Sequence, residues 1–159
     1  MNFEVIKKDA RTAAIYEYNR GVGRKFYIKT FGCQQNEADS EKIAGILLSL
    51  GYAEAAEAES ADLIILNTCS VRAHAEDKAF STIGAFRALK RKREELIVGV
   101  VGCMGANSVA VDKLKRDFHY VSFTLGAGAM HKLPEALYSV IFEGKRCFVP
   151  PKERESIVE

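Results

Sequence analysis

The stretch DLIILNTC, residues 62–69, has four apolar side chains in a row, Leu63 to Leu66, with no polar residue at alternate places. A short Ile/Leu run of this kind is the pattern of a strand buried on both faces, and such strands belong to parallel sheets with helices above and below. Reading outward, KFYIKTF (25–31), LIVGVVG (96–102) and YVSFTLG (120–126) are further short runs rich in aromatic and β-branched residues, and read as strands. Helical patterns separate them. Ile43, Ile46, Leu47 and Leu50 share one stripe of a helix that starts near Glu37, with Asn36 as its N-cap, Asp39 in the place of a capping-box acid and Gly51 at its end. A second helix starts near Ala73 and turns Ala79, Phe80, Ile83 and Phe86 inward. A third covers about Ser108 to Arg116, and HKLPEALYSVIFEG (131–144) gives the last, with Pro134 in its first turn. Strands alternating with helices predict an α/β fold: a parallel, doubly wound, flavodoxin-like sheet of four to five strands with helices on both faces, right-handed crossovers and strand order 2-1-3-4. Residues 1–24 read as an N-terminal extension, 25–149 as the domain, and 150–159, with two prolines and then charges, as a linker.

The chain has 159 residues, 48% of them hydrophobic and 28% charged, enough to bury a core without staples. The net charge of +2 selects no class of partner. The opening residues are charged throughout and lack a secretory h-region. The longest uncharged run, Leu96 to Val111, is interrupted by Gly99, Gly102 and Gly105 and is shorter than the roughly 20 apolar residues that span a bilayer. A cytoplasmic monomer without membrane contact is therefore expected. In that setting four cysteines read as thiols, metal ligands or redox groups rather than disulfides.

Three of these cysteines, Cys33, Cys69 and Cys103, each follow a predicted strand, and they are 36 and 34 residues apart, one βα unit each. Parallel strands end on one edge. If the three strands are neighbours at about 4.8 Å spacing, the thiols come within roughly 10 Å of one another, in the crevice where open α/β sheets bind ligands. Converging thiolates can hold zinc with a fourth ligand, or an iron–sulfur cluster. No Cys-x-x-Cys pair and no histidine at finger spacing accompanies them. A lone cysteine after a buried strand is usually a small apolar residue; three at successive strand ends point to a metal or cluster site. The fourth, Cys147 in GKRCFVPP, breaks the pattern and stays outside the set.

TFGCQQNEADSE (30–41), NTCSVRAHAEDKAF (67–80), VVGCMGAN (100–107) and HKLPEAL (131–137) resemble the N-terminal domain of the radical S-adenosylmethionine methylthiotransferases. Within that family Phe31, Gln34, Ser70 and Arg72 favour the tRNA 2-methylthio-N6-dimethylallyladenosine synthases over the sister groups acting on threonylcarbamoyladenosine tRNA or a ribosomal-protein aspartate. Gln35 departs from a common methionine, and Val101 from a common glycine. The resemblance implies that Cys33, Cys69 and Cys103 bind an auxiliary [4Fe–4S] cluster with one iron open to a sulfur donor. It also implies tRNA as partner, and transfer of a methylthio group to C2 of N6-isopentenyladenosine beside the anticodon. The family's Cys-x-x-x-Cys-x-x-Cys motif for a second [4Fe–4S] cluster with S-adenosylmethionine is absent from these residues. The expectation is an excised N-terminal domain, ending in the linker to a radical domain, with no catalytic residue of its own and inactive alone. A stand-alone iron–sulfur or redox module, and a flavodoxin-like binding domain with incidental thiols, are the other readings.

Asn36, Asn67 and Arg72 flank the cysteines and are candidates for supporting the cluster from behind its ligands; helix capping and strand-end bonding are the simpler roles of the two asparagines. Arg87, Lys90, Arg91, Lys92 and Arg93 end a helix, where cations complement the dipole; contact with RNA phosphate is the sharper alternative. His74, His119 and His131 share no spacing, and only His74 is near the set. GAGAM (126–130) lacks the rest of a dinucleotide fingerprint.

Overall fold

The computed structural model describes residues 10–32, 34–68 and 73–149. Five helices and six strands follow one another: α1 (Ala10–Arg20), β1 (Lys25–Thr30), α2 (Gln34–Ser49), β2 (Ala53–Glu54), β3 (Leu63–Thr68), α3 (Ala73–Lys92), β4 (Ile97–Gly102), α4 (Ser108–Asp117), β5 (Val121–Leu125), α5 (Leu133–Phe142) and β6 (Cys147–Val149). The strands form one all-parallel sheet in the order β2-β1-β3-β4-β5-β6. This is the predicted α/β sheet with slightly more strands than the four to five expected. The flavodoxin-like order 2-1-3-4 holds when the two-residue β2 is counted. Among the four strands read from sequence the spatial order is simply consecutive, so the strand after residue 62 is central, not flanking.

All six residues of β3 are buried. Its side chains alternate between two cores. Leu63 and Ile65 join Phe26, Ile43, Leu47, Leu133 and Leu137 on one face, under α2 and α5. Ile64 and Leu66 join Ala79, Ile83, Phe86, Ala110 and Leu114 on the other, under α3 and α4. Helix α2, which follows β1, and helix α3, which follows β3, therefore diverge to opposite faces. The gap between the ends of β1 and β3 is the topological switch point of the sheet.

Part of the stretch read as an extension is built into the first core. Helix α1 lies against α5, Ile15 is fully buried, and Tyr18 meets Phe142 edge to face at 5.7 Å. Asn19 is buried as well, and its Nδ2 donates to Leu50 O at 2.9 Å, tying α1 to the end of α2. The extension reads as partly helical from sequence, and helix α1 is that part; its periodicity is weak because two of its buried residues, Thr12 and Asn19, are polar. Residues 1–9 and 150–159 lie outside the described residues.

Two outcomes test this packing. Ile15→Ala should cost about 2–4 kcal/mol in urea unfolding, the range for a large aliphatic side chain removed from a core. Tyr52 is buried beside α1, and burial pushes its phenol well above the ordinary value of 10.0. The folded state keeps that proton while the unfolded chain sheds it, so stability falls as pH rises through the unfolded value near 10. Urea midpoints at pH 8 and 10.5 should show a smaller alkaline loss in Tyr52→Phe than in the wild type.

Candidate functional site

The carboxyl ends of β1, β3 and β4 stand side by side. Thr30 pairs with Asn67 across β1 and β3, and Thr68 pairs with Gly102 across β3 and β4. Thr68 and Gly102 are the residues immediately before Cys69 and Cys103, and Thr30 is three before Cys33. Cys103 opens a 3-10 turn, Cys103–Ala106, and its thiol is exposed and free of any disulfide. Cys33, Cys69 and Arg72 lie outside the described residues. Among the described residues no three His, Cys, Asp or Glu side chains converge as a metal site, and two members of the proposed set are not among them.

Beneath this edge is a buried polar bracket. Asn36, Asn67 and Thr68 are 7%, 0% and 2% exposed, which is unusual for such residues unless they are bonded. Asn36 Nδ2 donates to Thr68 O at 2.9 Å, and Asn67 Nδ2 donates back to Asn36 O at 2.8 Å. Asn67 Nδ2 also reaches Ser40 Oγ at 3.0 Å, and Ser40 Oγ lies 2.7 Å from Thr30 Oγ1. Across the other boundary, Thr68 Oγ1 donates to Val101 O at 2.8 Å and accepts from Met104 N–H at 3.0 Å. The Phe31 N–H donates to Asn67 O at 2.9 Å, prolonging β1 pairing by one residue. Phe31 and Asn36 on either side of Cys33, and Val101 and Met104 on either side of Cys103, are thus fastened to the end of β3.

Asn36 is therefore not the start of its helix, as the sequence suggests. Helix α2 begins at Gln34, and Asn36 sits in its first turn with its amide turned to the β3 end. Sequence reading also passed over Thr68, Ser40 and Thr30. The available signal was the pair Asn67–Thr68, two polar residues continuing a strand that is otherwise apolar on both faces. Helices α2 and α3 begin at Gln34 and Ala73, shortly after Cys33 and Cys69 in sequence, so their amino ends, the positive ends of their dipoles, lie at this edge.

Gly102 shapes the β4 turn. Its φ is +94°, and a Cβ there would stand 2.4 Å from Thr68 O and 2.9 Å from Asn67 Oδ1. Only glycine permits both the backbone conformation and the close approach of β3.

Other candidates fall elsewhere. Helix α3 has 20 residues, so its basic end is about 30 Å from its start, at the opposite edge of the sheet. There Arg93 donates to Ala61 O at 2.6 Å and pairs with Asp62, and Lys90 Nζ donates to Leu96 O at 2.6 Å and to Glu94 O. Arg87 stacks over Tyr120, 5.5 Å from the ring centre. These local bonds account for Lys90 and Arg93 by the simpler reading. His119 bonds Arg116 O at 2.7 Å, His131 is in an exposed turn, and His74 is in the first turn of α3. Cys147 is half-buried on β6, separated from β4 by β5, and burial, with Glu135 and Glu143 nearby, pushes its thiol pKa up. GAGAM forms the loop and start of a 3-10 turn after β5. None of the described helices is long and apolar enough to cross a membrane.

A family model described as uncharacterized protein family UPF0004 matches residues 25–126. Several curated relatives carry the name tRNA-2-methylthio-N(6)-dimethylallyladenosine synthase. The one from Caldicellulosiruptor saccharolyticus is 40% identical over 144 residues, 91% of this chain and 31% of the relative. That from Shouchella clausii is 42% identical over 142 residues, 89% and 27%. That from Bacillus cereus is 44% identical over 124 residues, 78% and 24%. The chain thus spans between about a quarter and a third of the length of these relatives.

Gly102→Ala should lower stability by about 2–3 kcal/mol in urea unfolding, from the positive φ and the crowded Thr68 carbonyl together. Gly45→Ala, inside α2 with nothing near its added methyl, should instead stabilise by about 0.5–1 kcal/mol.

Proposed function

Because the chain belongs to the UPF0004 family, we propose that it is the cluster-binding domain of a tRNA methylthiotransferase, with Cys33, Cys69 and Cys103 as the ligands of an auxiliary [4Fe–4S] cluster. The observation that carries this reading is the register of β1, β3 and β4, which aligns the three strand ends leading to the cysteines at the switch point of the sheet. The donor set suits the group. Three thiolates on a soft iron–sulfur cluster leave one iron without a protein ligand, and Cys103 offers its sulfur from an exposed turn. The amino ends of α2 and α3 favour negative charge at the same edge, which lowers the cost of gathering thiolates there.

When bound, the cluster would supply a site at which a sulfur species can be carried before its transfer as a methylthio group. The residues of this chain bind and orient it: the cysteines hold it at the edge, and the buried sheet below keeps their turns in place. The substrate proposed for the whole protein is tRNA, with the methylthio group added to C2 of N6-isopentenyladenosine beside the anticodon, as the name of the relatives suggests. The radical step needs S-adenosylmethionine and a second cluster, and no Cys-x-x-x-Cys-x-x-Cys motif for them is found in these 159 residues. This chain alone is therefore inactive in our reading, with no catalytic residue, and residues 150–159 serve as the linker toward the radical domain.

Anaerobic reconstitution with ferrous iron and sulfide tests the ligand set. The wild-type chain should take up about four irons per chain, with the broad visible absorbance of a [4Fe–4S] centre. Cys33→Ala, Cys69→Ala and Cys103→Ala should each lose most of it, while Cys147→Ala should keep it. Full uptake by any of the first three, or its loss in Cys147→Ala, refutes the assignment.

A further inference from the structure

We propose that Thr68 is a positioning residue for the cluster, its hydroxyl joining the end of β3, the residue before Cys69, to the Cys103 turn, with Asn36 and Asn67 joining the same strand end to the first turn of α2, which follows Cys33. This rests on the cluster reading above and assigns a role to side chains that touch no ligand atom.

The hydroxyl of Thr68 bridges two backbone groups on either side of the Gly102–Cys103 step. It donates to Val101 O at 2.8 Å and accepts from Met104 N–H at 3.0 Å. The first of these groups precedes Cys103 by two residues and the second follows it by one, so the bridge fixes the turn from which the thiol projects. Gly102, pressed against Thr68 O, prevents the turn from moving toward β3. On the other side the two asparagines exchange amide bonds in a reciprocal pair: Asn36 Nδ2 to Thr68 O and Asn67 Nδ2 to Asn36 O. Thr68 thus takes part in both halves of the bracket, by its carbonyl toward α2 and by its hydroxyl toward β4.

The bracket is complete without a metal. Among the described residues, the side-chain nitrogens and oxygens that are buried without a partner are Asn19 Oδ1 and Thr124 Oγ1, and neither belongs to it. A network already satisfied gains nothing from ordering the edge again, so the Cys103 turn is held before iron arrives. Binding then costs less conformational entropy, and the ligand geometry is set by the protein. Valine has the shape of threonine and lacks the hydroxyl. Thr68→Val leaves both a buried N–H and a carbonyl without their shared partner; serine preserves both bonds.

The experiment uses the 159-residue chain as wild type, Thr68→Val and Thr68→Ser, with far-ultraviolet circular dichroism to establish that each is folded. In the iron-free protein, amide exchange at Met104 should be faster in Thr68→Val than in wild type and near wild type in Thr68→Ser. After anaerobic reconstitution, iron loss to a chelator should be about 10–100-fold faster in Thr68→Val, the usual size for a group supporting metal ligands, with an altered electron paramagnetic resonance spectrum of the reduced centre. Thr68→Ser should stay within about threefold of wild type by the same scale. If wild type binds iron and Thr68→Val matches it in chelator rate and spectrum, the positioning role is wrong and the cluster reading stands. If Thr68→Val does not fold, the role rests on Thr68→Ser, and a chelator rate more than tenfold faster there overturns it. A wild-type chain that takes up no iron overturns both.

Discussion

Strand β3 is covered on both faces, and each of its neighbours is bound by that. A strand with Leu63 and Ile65 under α2 and α5, and Ile64 and Leu66 under α3 and α4, cannot lie at an edge or face water. Its two partners must be strands of similar apolar character, which KFYIKT and IVGVVG supply. Parallel connection of neighbouring strands then requires a crossover, here always a helix, long enough to return the chain to the other end of the sheet. Once β3 is central, the chain must leave β1, β3 and β4 along one edge, and whatever residues follow those strands are brought together by the sheet.

That edge has a chemical character of its own. Two residues of β3, Asn67 and Thr68, are polar although fully enclosed, and they continue the strand where an apolar pair would have packed equally well. Buried amides and hydroxyls are costly unless each is bonded, so their presence fixes particular partners in a way Leu or Val could not. The bonds they make run to the backbone of Asn36, Val101 and Met104, which are the residues around the cysteine turns. The opposite edge is different. Its cations, Lys90 and Arg93, reach the carbonyls of Leu96 and Ala61, just before β4 and β3, and the carboxylate of Asp62. The two ends of the sheet thus separate local stabilisation from the proposed chemistry.

How much of this was readable from residues alone depends on what each residue signals. Continuous apolar runs betrayed β3 and β4, because burial on both faces leaves an unmistakable composition, and aromatic and β-branched residues marked β1 and β5. Strand β2 has two residues, both exposed, and no pattern of that length can be recognised. Strand β6 was passed over as the approach to a linker, since its three half-buried residues follow Arg146, whose side chain bonds four backbone carbonyls of β5, α4 and the loop between them. Helix α1 was legible only as a partly helical extension, its place in the core obscured because it buries threonine and asparagine along with Ile15. The ends of the cysteine-bearing strands were legible as positions, and Asn36 and Asn67 as neighbours of interest. Thr68 was passed over: its one local signal was a second polar residue after Asn67 at the end of an apolar strand, and the partners of its hydroxyl lie on and after another strand.

The same reasoning explains why three cysteines, rather than one, give the edge its meaning. Cys103 alone would be an exposed thiol on a short turn, open to many explanations. Its turn, however, is tied through Thr68 to the strand that leads to Cys69. That strand is tied through Asn36 and Asn67 to the helix that follows Cys33. Displacing the Cys103 turn therefore strains bonds to the end of β3, which in turn holds the start of α2. A site that must gather three anionic ligands around one centre benefits from such coupling, since the repulsion among thiolates is borne by a fixed backbone instead of by flexible loops. The two asparagines and the threonine enclosed at this edge suit the proposed three-cysteine site, beyond the strand-end bonds they make.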